Sequence, residues 1–319
     1  MSVASSAYAG LPRRRGIVAR FFGSRFVAVV VVVLAIIFIW YLGAFLLDAP
    51  FQRDLDQRAG VTRSPIEFVV ATYSQKKPTL PAPHQVAVDT YNTVVLANPM
   101  KPSSLLFHAW VTFTSTFAGF ISGTLLGILL AVGIVHVKSL DRSLMPWVIS
   151  SQTIPILALA PIVVVVAFNL LSGQMHLPTD FSRFIAKALI STYLSFFPVT
   201  VGMVKGLRSP DPFHLDLMRT YSATPFQVFR KLRWPASLPM LFVSMKIAVA
   251  AALVGAIVAE LPTGAVAGIG AKLLVGSYYS QSIQMWSALV VGSILAALLV
   301  TSVGIVERVV MWRMGGGRR

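Results

Sequence analysis

Cysteine is absent from the 319-residue chain, so no disulfide and no thiol chemistry is available and the redox compartment stays undecided. Charge is scarce as well. Only 12% of residues are charged and 56% are hydrophobic, against about 25% charged in a typical soluble domain. That balance excludes an ordinary soluble protein and indicates a polytopic membrane protein. Acidic residues are the rarer sign, 11 against 27 basic, for a net charge of +16. Such an excess is compatible with nucleic acid, but the cations sit in short clusters beside apolar runs. The positive-inside rule explains that placement better, so no nucleic-acid partner is expected. No G-x-x-x-x-G-K-[ST] phosphate loop occurs, so the chain has no such nucleotide site of its own. His108, His136 and His214 are scattered without a partner at ligand spacing, which points to no metal site. No Ser/His/Asp or paired-carboxylate set falls on a common face. Neither an enzyme nor a bound cofactor is expected.

What the chain has is apolar length. After a basic tail over residues 1–25, Phe26 to Leu47 is uncharged, long enough to cross about 30 Å of hydrocarbon. A signal peptide would have an apolar core of about 7–15 residues ending at small ones, so the run reads as a retained anchor over 26–47. Residues 48–104 are polar and nearly balanced in charge, which argues for the outer side. Within them Ser64-Pro65-Ile66-Glu67 predicts a capping box that opens a short helix. Five more apolar segments run near 105–136, 143–171, 184–206, 238–260 and 283–306. Six spans place both termini on one side. The pieces assigned to the cytoplasm then hold 17 Lys/Arg and the outer loops eight, with Lys187 and Lys246 left inside spans. The location expected is a bacterial inner membrane, with both termini cytoplasmic and a basic tail over 313–319.

The longest polar interruption in the C-terminal two-thirds is Leu207 to Pro239. Asp211 can cap a helix with Pro212 at its first position, and Thr224 a second with Pro225 likewise. Phe213, Leu217 and Tyr221 give the first helix an apolar stripe, and Phe226, Phe229 and Leu232 the second. Pro235 and Pro239 are expected to stop the second helix. A basic amphipathic hairpin over 211–233, between two spans, suits a surface that touches a partner.

This stretch resembles the cytoplasmic loop of permease subunits of binding-protein-dependent ABC importers, of the nitrate, sulfonate and taurine type. Asp216 matches the family's acidic position, Arg219 a frequent basic one, and Pro235, Ala236 and Pro239 the closing Pro-Ala-x-x-Pro. Met218 stands where Ala is usual, and Ser222 where Gly commonly allows a positive φ. Leu80-Pro81-Ala82-Pro83 resembles the element that precedes the family core, so the resemblance covers roughly residues 80–312 and the residues before it look like an insertion. The Tyr221-Ser222-Ala223 neighbourhood is closer to permeases for heterocyclic nutrients, such as thiamine-precursor pyrimidines, than to taurine permeases. The resemblance implies an all-α membrane protein of six transmembrane helices with a type I ABC importer core over 105–312. It also implies two ATPase subunits, an extracytoplasmic solute-binding protein and a second permease copy, most simply a homodimer. Coupling would fall to Asp216, Arg219, Tyr221, Ser222, Pro235 and Pro239.

Gly119, Gly123 and Gly127, continued by Ala131, recur every four residues in the second span, and Ala248, Ala252 and Ala256 do so in the fifth. Small residues at this spacing let helix backbones approach, within one protomer or at a dimer seam or pore. Two prolines, Pro155 and Pro161, interrupt the third span. They free carbonyls that are tolerable at membrane depth only against protein or a water-filled path. The run resembles the family's I-P-x-x-A-L-A-P on a span near the translocation path, which makes Gln152, Thr153, Pro155 and Pro161 candidates for lining it. A helix merely kinked for packing is the other reading. Lys246 and Glu260 lie about 21 Å apart along the fifth span and cannot pair. Lys246 can snorkel. Glu260 either gates the path or caps backbone in the loop Leu261–Gly270, and Gly268-Ile269-Gly270 resembles the family's Gly-Leu-Gly turn. Two other classes stay open on residues alone. An ion-coupled secondary transporter should show inverted repeats and more intramembrane carboxylates. A non-transporting scaffold would need no broken span.

Overall fold

A computed structural model describes residues 25–262 and 267–315. The N-terminal tail expected over 1–25, apart from the backbone of Arg25, lies outside the described residues. So do residues 316–319 of the C-terminal tail and 263–266 of the loop after Glu260. Two compact units form, one up to Gln85 and one from Val86 onward. Among the described residues six helices are long and apolar enough to cross a membrane.

In the first unit, helix α1 (Arg25–Ala59) continues twelve residues beyond the apolar run and passes through Pro50. Buried polar groups hold the extension. Asp48 Oδ1 accepts the Thr79 N–H at 2.5 Å, and Gln75 Nε2 donates to Asp48 O at 3.2 Å and to Gln52 Oε1 at 3.1 Å. Helix α2 (Pro65–Tyr73) starts at the expected capping box. Ser64 Oγ accepts from Glu67 N, and Glu67 Oε2 accepts the Ser64 N–H at 2.9 Å, which holds that carboxyl below the usual range. α2 then runs back along α1. Tyr73 Oη donates to Tyr41 O at 3.1 Å, and Phe68 meets Phe45 edge-on at 6.3 Å.

The junction of the units falls in α3 (Pro83–Tyr91). The second unit holds α4 (Leu105–His136), α5 (Lys138–Ser150), α6 (Ile156–Phe168), α7 (Thr179–Leu207), α8 (Pro212–Thr220), α9 (Pro225–Val228), α10 (Trp234–Glu260), α11 (Ile269–Tyr278) and α12 (Ser282–Arg313). Its centre is α7, flanked by α4 and α10. The small-residue stripe of α4 is the reason the helices come so close. A Cβ on Gly119 would lie 2.8 Å from Ala188 O, one on Gly123 2.9 Å from Thr192 O, and one on Gly127 2.8 Å from Phe196 O. Ser195 Oγ spans the same seam to Gly119 O at 3.1 Å. The stripe is therefore a packing seam within one chain. Ala248, Ala252 and Ala256 of α10 are likewise fully buried. Buried hydroxyls such as Thr116 and Thr200 return to carbonyls of their own helix, so they need no second helix.

Two sequence expectations are corrected here. The third span does not run over 143–171: α5 ends at Ser150, and a new helix starts at Ile156 and crosses as Ile156–Gln174. Pro155 has no N–H for a turn and forces Ile154 into an extended conformation (φ −78°, ψ 123°), so one segment becomes two. Nor do Pro235 and Pro239 stop the helix that begins at Pro225. A wide π-helical turn over Phe229–Arg233 joins α9 to α10. Pro235 falls in the first turn of α10, where an N–H is dispensable, and Pro239 is absorbed inside it.

Candidate functional site

Three groups of side chains hold the candidate residues. The first is the break between α5 and α6. Gln152 and Thr153 are both exposed there; Thr153 Oγ1 bonds back to Ser150 O at 2.8 Å, while Gln152 Nε2 reaches only Ser151 Oγ, at 3.5 Å. Tyr193 of α7 donates its hydroxyl to Ser151 O, satisfying a carbonyl that the broken helix releases. Pro155 caps α6 and Pro161 lies within it.

The second group is the hairpin α8–α9. Asp211 Oδ1 caps α8 through the Phe213 N–H at 2.8 Å, and Thr224 with Gln227 forms a capping box on α9. Between them Ser222 takes φ +52°, the left-handed conformation that glycine adopts freely, and donates its N–H to Arg219 O at 2.8 Å. The Ser222 side chain is exposed, and the caps at Asp211 and Thr224 fix the short helices on either side of the turn. Phe213, Tyr221 and Phe226 are 71%, 75% and 67% exposed. Asp216 and Arg219, one turn apart, form an exposed ion pair at 3.0 Å. The base of the hairpin is anchored differently. Phe229 sets its ring edge against His136 at the end of α4, 5.2 Å between centroids, and packs against Trp234. Arg208 after α7 pairs with Asp141 of α5 at 2.8 Å.

The third group surrounds Glu260, which is completely buried. Three successive backbone N–H groups at the start of α11 each meet a side chain. Gly268 N donates to His108 Nδ1 at 3.0 Å, Ile269 N to Thr112 Oγ1 at 2.9 Å, and Gly270 N to Glu260 Oε2 at 2.8 Å. The Thr112 hydroxyl in turn donates a hydrogen bond to Glu260 Oε1 at 2.9 Å, and His108 Nε2 donates to Pro102 O at 2.8 Å. A carboxylate at a helix N-terminus is electrostatically well placed. Lys187 of α7, nearly as buried, completes the cluster at 3.5 Å from Glu260 Oε1. Gly268 has φ +133°, and a Cβ there would collide with the Glu260 carboxyl, so only glycine fits. Glu260 thus caps neighbouring backbone. The sequence does not link Lys187, Thr112 and His108 to Glu260, because they lie 73 to 152 residues away. Lys246, expected to snorkel, pairs with Glu307 of α12.

These groups sit on different elements and do not converge on one pocket. Among the described residues no cluster of three or more His, Cys, Asp or Glu could hold a metal ion.

Comparison with known proteins places this geometry. Residues 123–315 match the family described as "Binding-protein-dependent transport system inner membrane component". The formylaminopyrimidine transport permease protein ThiX of Halalkalibacterium halodurans is 32% identical over 191 residues, which are 60% of this chain and 68% of that protein. The riboflavin transport system permease protein RibX of Chloroflexus aurantiacus is 25% identical over 66% of this chain and 73% of its own length. Among solved structures, an inward-facing crystal form of the MetNI methionine ABC transporter superposes with a TM-score of 0.50 at 21% identity, over 65% of this chain and 95% of the matched one. That likeness supplies the fold: an all-α type I importer core. The family match over residues 123–315 sets aside the ion-coupled transporter and the inert scaffold. The chain belongs to the inner membrane components of binding-protein-dependent transport systems and is the transmembrane permease subunit of an ABC importer.

Proposed function

We propose that two copies of this permease form the translocation path, with two ATPase subunits docked on their hairpins and an extracytoplasmic binding protein delivering the solute opposite. In this reading both termini are cytoplasmic. The chain holds no nucleotide or other cofactor, ATP being bound by the partner subunits. The observation that carries the proposal is the α8–α9 hairpin. Phe213, Leu217, Tyr221 and Phe226 expose an apolar stripe beside the charged pair Asp216–Arg219, and an apolar centre with a polar rim is the anatomy of a docking surface.

ATPase closure would shift the hairpin, because its contacts with the two ATPase states differ in free energy. Ser222 sets the angle between the two short helices. Pro235 and Pro239 lie where α9 runs into α10, so displacement of the hairpin is transmitted directly to a span. Phe229 against His136, and Arg208 against Asp141, carry it to α4 and α5. The break at Gln152 and Thr153, fixed by Pro155 and Pro161, would line the path where α5 meets α6. Glu260, at the far end of α10, would act as a gate by releasing or holding the N-terminus of α11.

For the solute we favour a heterocyclic nutrient, since the names of ThiX and RibX specify a pyrimidine and a flavin. A putative aliphatic sulfonates permease of Bacillus subtilis is 24% identical, which defines the competing class. Reconstitution with the cognate ATPase and binding protein tests the whole reading. Gln152→Leu should lower solute uptake several-fold while leaving the ATPase bound, and unchanged uptake would remove Gln152 from the path. Thermal-shift screening of the binding protein should show stabilisation by pyrimidines or flavins; stabilisation by sulfonates alone would overturn the solute class.

A further inference from the structure

Residues 51–79 precede the family resemblance and have no part in the transport reading above. They nevertheless build a pocket of their own. Phe51, Gln52 and Leu55 of α1, Arg63, and Ala71, Ser74, Gln75, Lys76 and Lys77 at and after the end of α2 enclose about 460 Å³. Three of these residues are cationic and none is acidic. The nearby acids are already engaged: Asp48 is buried against Thr79, Asp56 pairs with Arg63 at 3.0 Å, and Asp54 pairs with Arg58. Lys76 and Lys77 are exposed, and neither has an ion-pair partner among the described residues.

The depth of the pocket follows from α1 itself. Its uncharged run ends at Leu47, so Phe51 and Leu55 lie about 6 Å and 12 Å farther along the axis. The polar headgroup layer adds roughly 5–7 Å beyond the hydrocarbon on each side. Gln75 and Thr79 bond Asp48 and Gln52, which holds the intervening Lys76 and Lys77 at that layer, while Leu55 marks the pocket's outer, aqueous end. Helix α2 lies beside α1 from the level of Arg53, whose guanidinium stands over Phe68 at 5.7 Å, down to Tyr41 inside the apolar run. It exposes Ile66 and Val70, one turn apart, as a helix lying at a lipid boundary does.

We infer that this pocket binds the phosphodiester headgroup of an anionic phospholipid of phosphatidylglycerol type, with Lys76 and Lys77 on the phosphate, the headgroup glycerol toward Phe51 and Leu55, and the acyl chains leaving toward the apolar run of α1. The insertion then serves as a lipid-reading collar at one membrane face. A basic side chain near an anionic bilayer contributes enough that losing two should weaken lipid retention about thirty-fold.

The test uses the full-length permease purified in detergent and placed in nanodiscs of phosphatidylcholine with one-quarter phosphatidylglycerol, with co-purifying lipid counted by native mass spectrometry. Wild type should retain phosphatidylglycerol over phosphatidylcholine. The double substitution Lys76→Gln/Lys77→Gln should lose that preference with an unchanged thermal midpoint, since both side chains are exposed. Arg58→Glu, an equal charge change outside the pocket, should keep it. Equal retention of the two lipids by wild type would overturn the inference, as would a double variant that keeps the preference. Displacement of the lipid by millimolar inorganic phosphate would assign the site to a free anion and overturn it too. A double variant that retains phosphatidylglycerol but loses stimulation by the binding protein would assign the lysines to that protein instead.

Discussion

Removing one member of the Lys187–Glu260 pair should destabilise the core far more than removing both. The two charges lie 3.5 Å apart, with side-chain exposures of 6% and 0%. At an effective dielectric of about 20 their attraction is about 5 kcal/mol, and breaking a buried pair by deleting one partner costs about 3–5 kcal/mol. The two deletions are not equivalent. Lys187→Met leaves Glu260 with the Thr112 hydroxyl and the Gly270 N–H, two donors that still stabilise a carboxylate. Glu260→Leu leaves a buried ammonium, a hydroxyl and a backbone N–H at the start of α11 all without their acceptor, and should be the worse of the two. Lys187→Met/Glu260→Gln removes both charges yet keeps an amide oxygen for Thr112 and Gly270, so it should recover most of the loss. Tryptophan-fluorescence melting of the purified permease provides the readout. The single variants should fall by roughly 6–10 °C and the double by less than either. A double variant no better than the worse single, or singles that melt with wild type, would refute the claim that the pair is energetically coupled.

Further outcomes follow from a close approach and a strained turn in the second unit. Gly123→Val should cost about 3 kcal/mol or more and depress folded yield, since even its Cβ would sit 2.9 Å from Thr192 O; Gly173→Ala, with nothing within 4 Å, should leave the yield unchanged. Ser222→Gly should stay within about 1 kcal/mol of wild type and retain the ATPase, because relief at φ +52° offsets the added chain entropy. Ser222→Val, a branched residue at that φ, should make the hairpin sensitive to limited proteolysis and weaken ATPase retention.

Local signals carried much of this architecture into view from the sequence. The capping pairs Ser64–Glu67 and Thr224–Gln227 depend on residues three apart, and both form as local chemistry dictates. The glycine spacing at 119, 123 and 127 announced a close helix contact, and its partner proved to be α7 of the same chain. What stayed hidden depends on distance or on compromise. Lys187 and Glu260 each look like an isolated charge in a span, and nothing in either neighbourhood points to the other. The prolines at 235 and 239 read as a stop because their local effect is to break helices. The structure takes them up in the first turns of α10, behind a π-helical turn across which Phe229 packs against Trp234. Ser222 kept its positive φ although residue preference argued against it, since the Asp211 and Thr224 caps fix the helices on either side.

The most direct test of the central claim, that the hairpin couples this permease to its ATPase, is ATP hydrolysis by the reconstituted complex carrying Arg219→Glu. That change reverses a largely exposed charge on α8 and removes only a surface ion pair, so it should leave the fold intact. At a docked interface, like-charge contact costs several kcal/mol, enough to abolish most association. The account predicts a variant that inserts, purifies and melts like wild type, yet neither retains the ATPase nor raises its hydrolysis when liganded binding protein is added. Stimulation equal to wild type would contradict it.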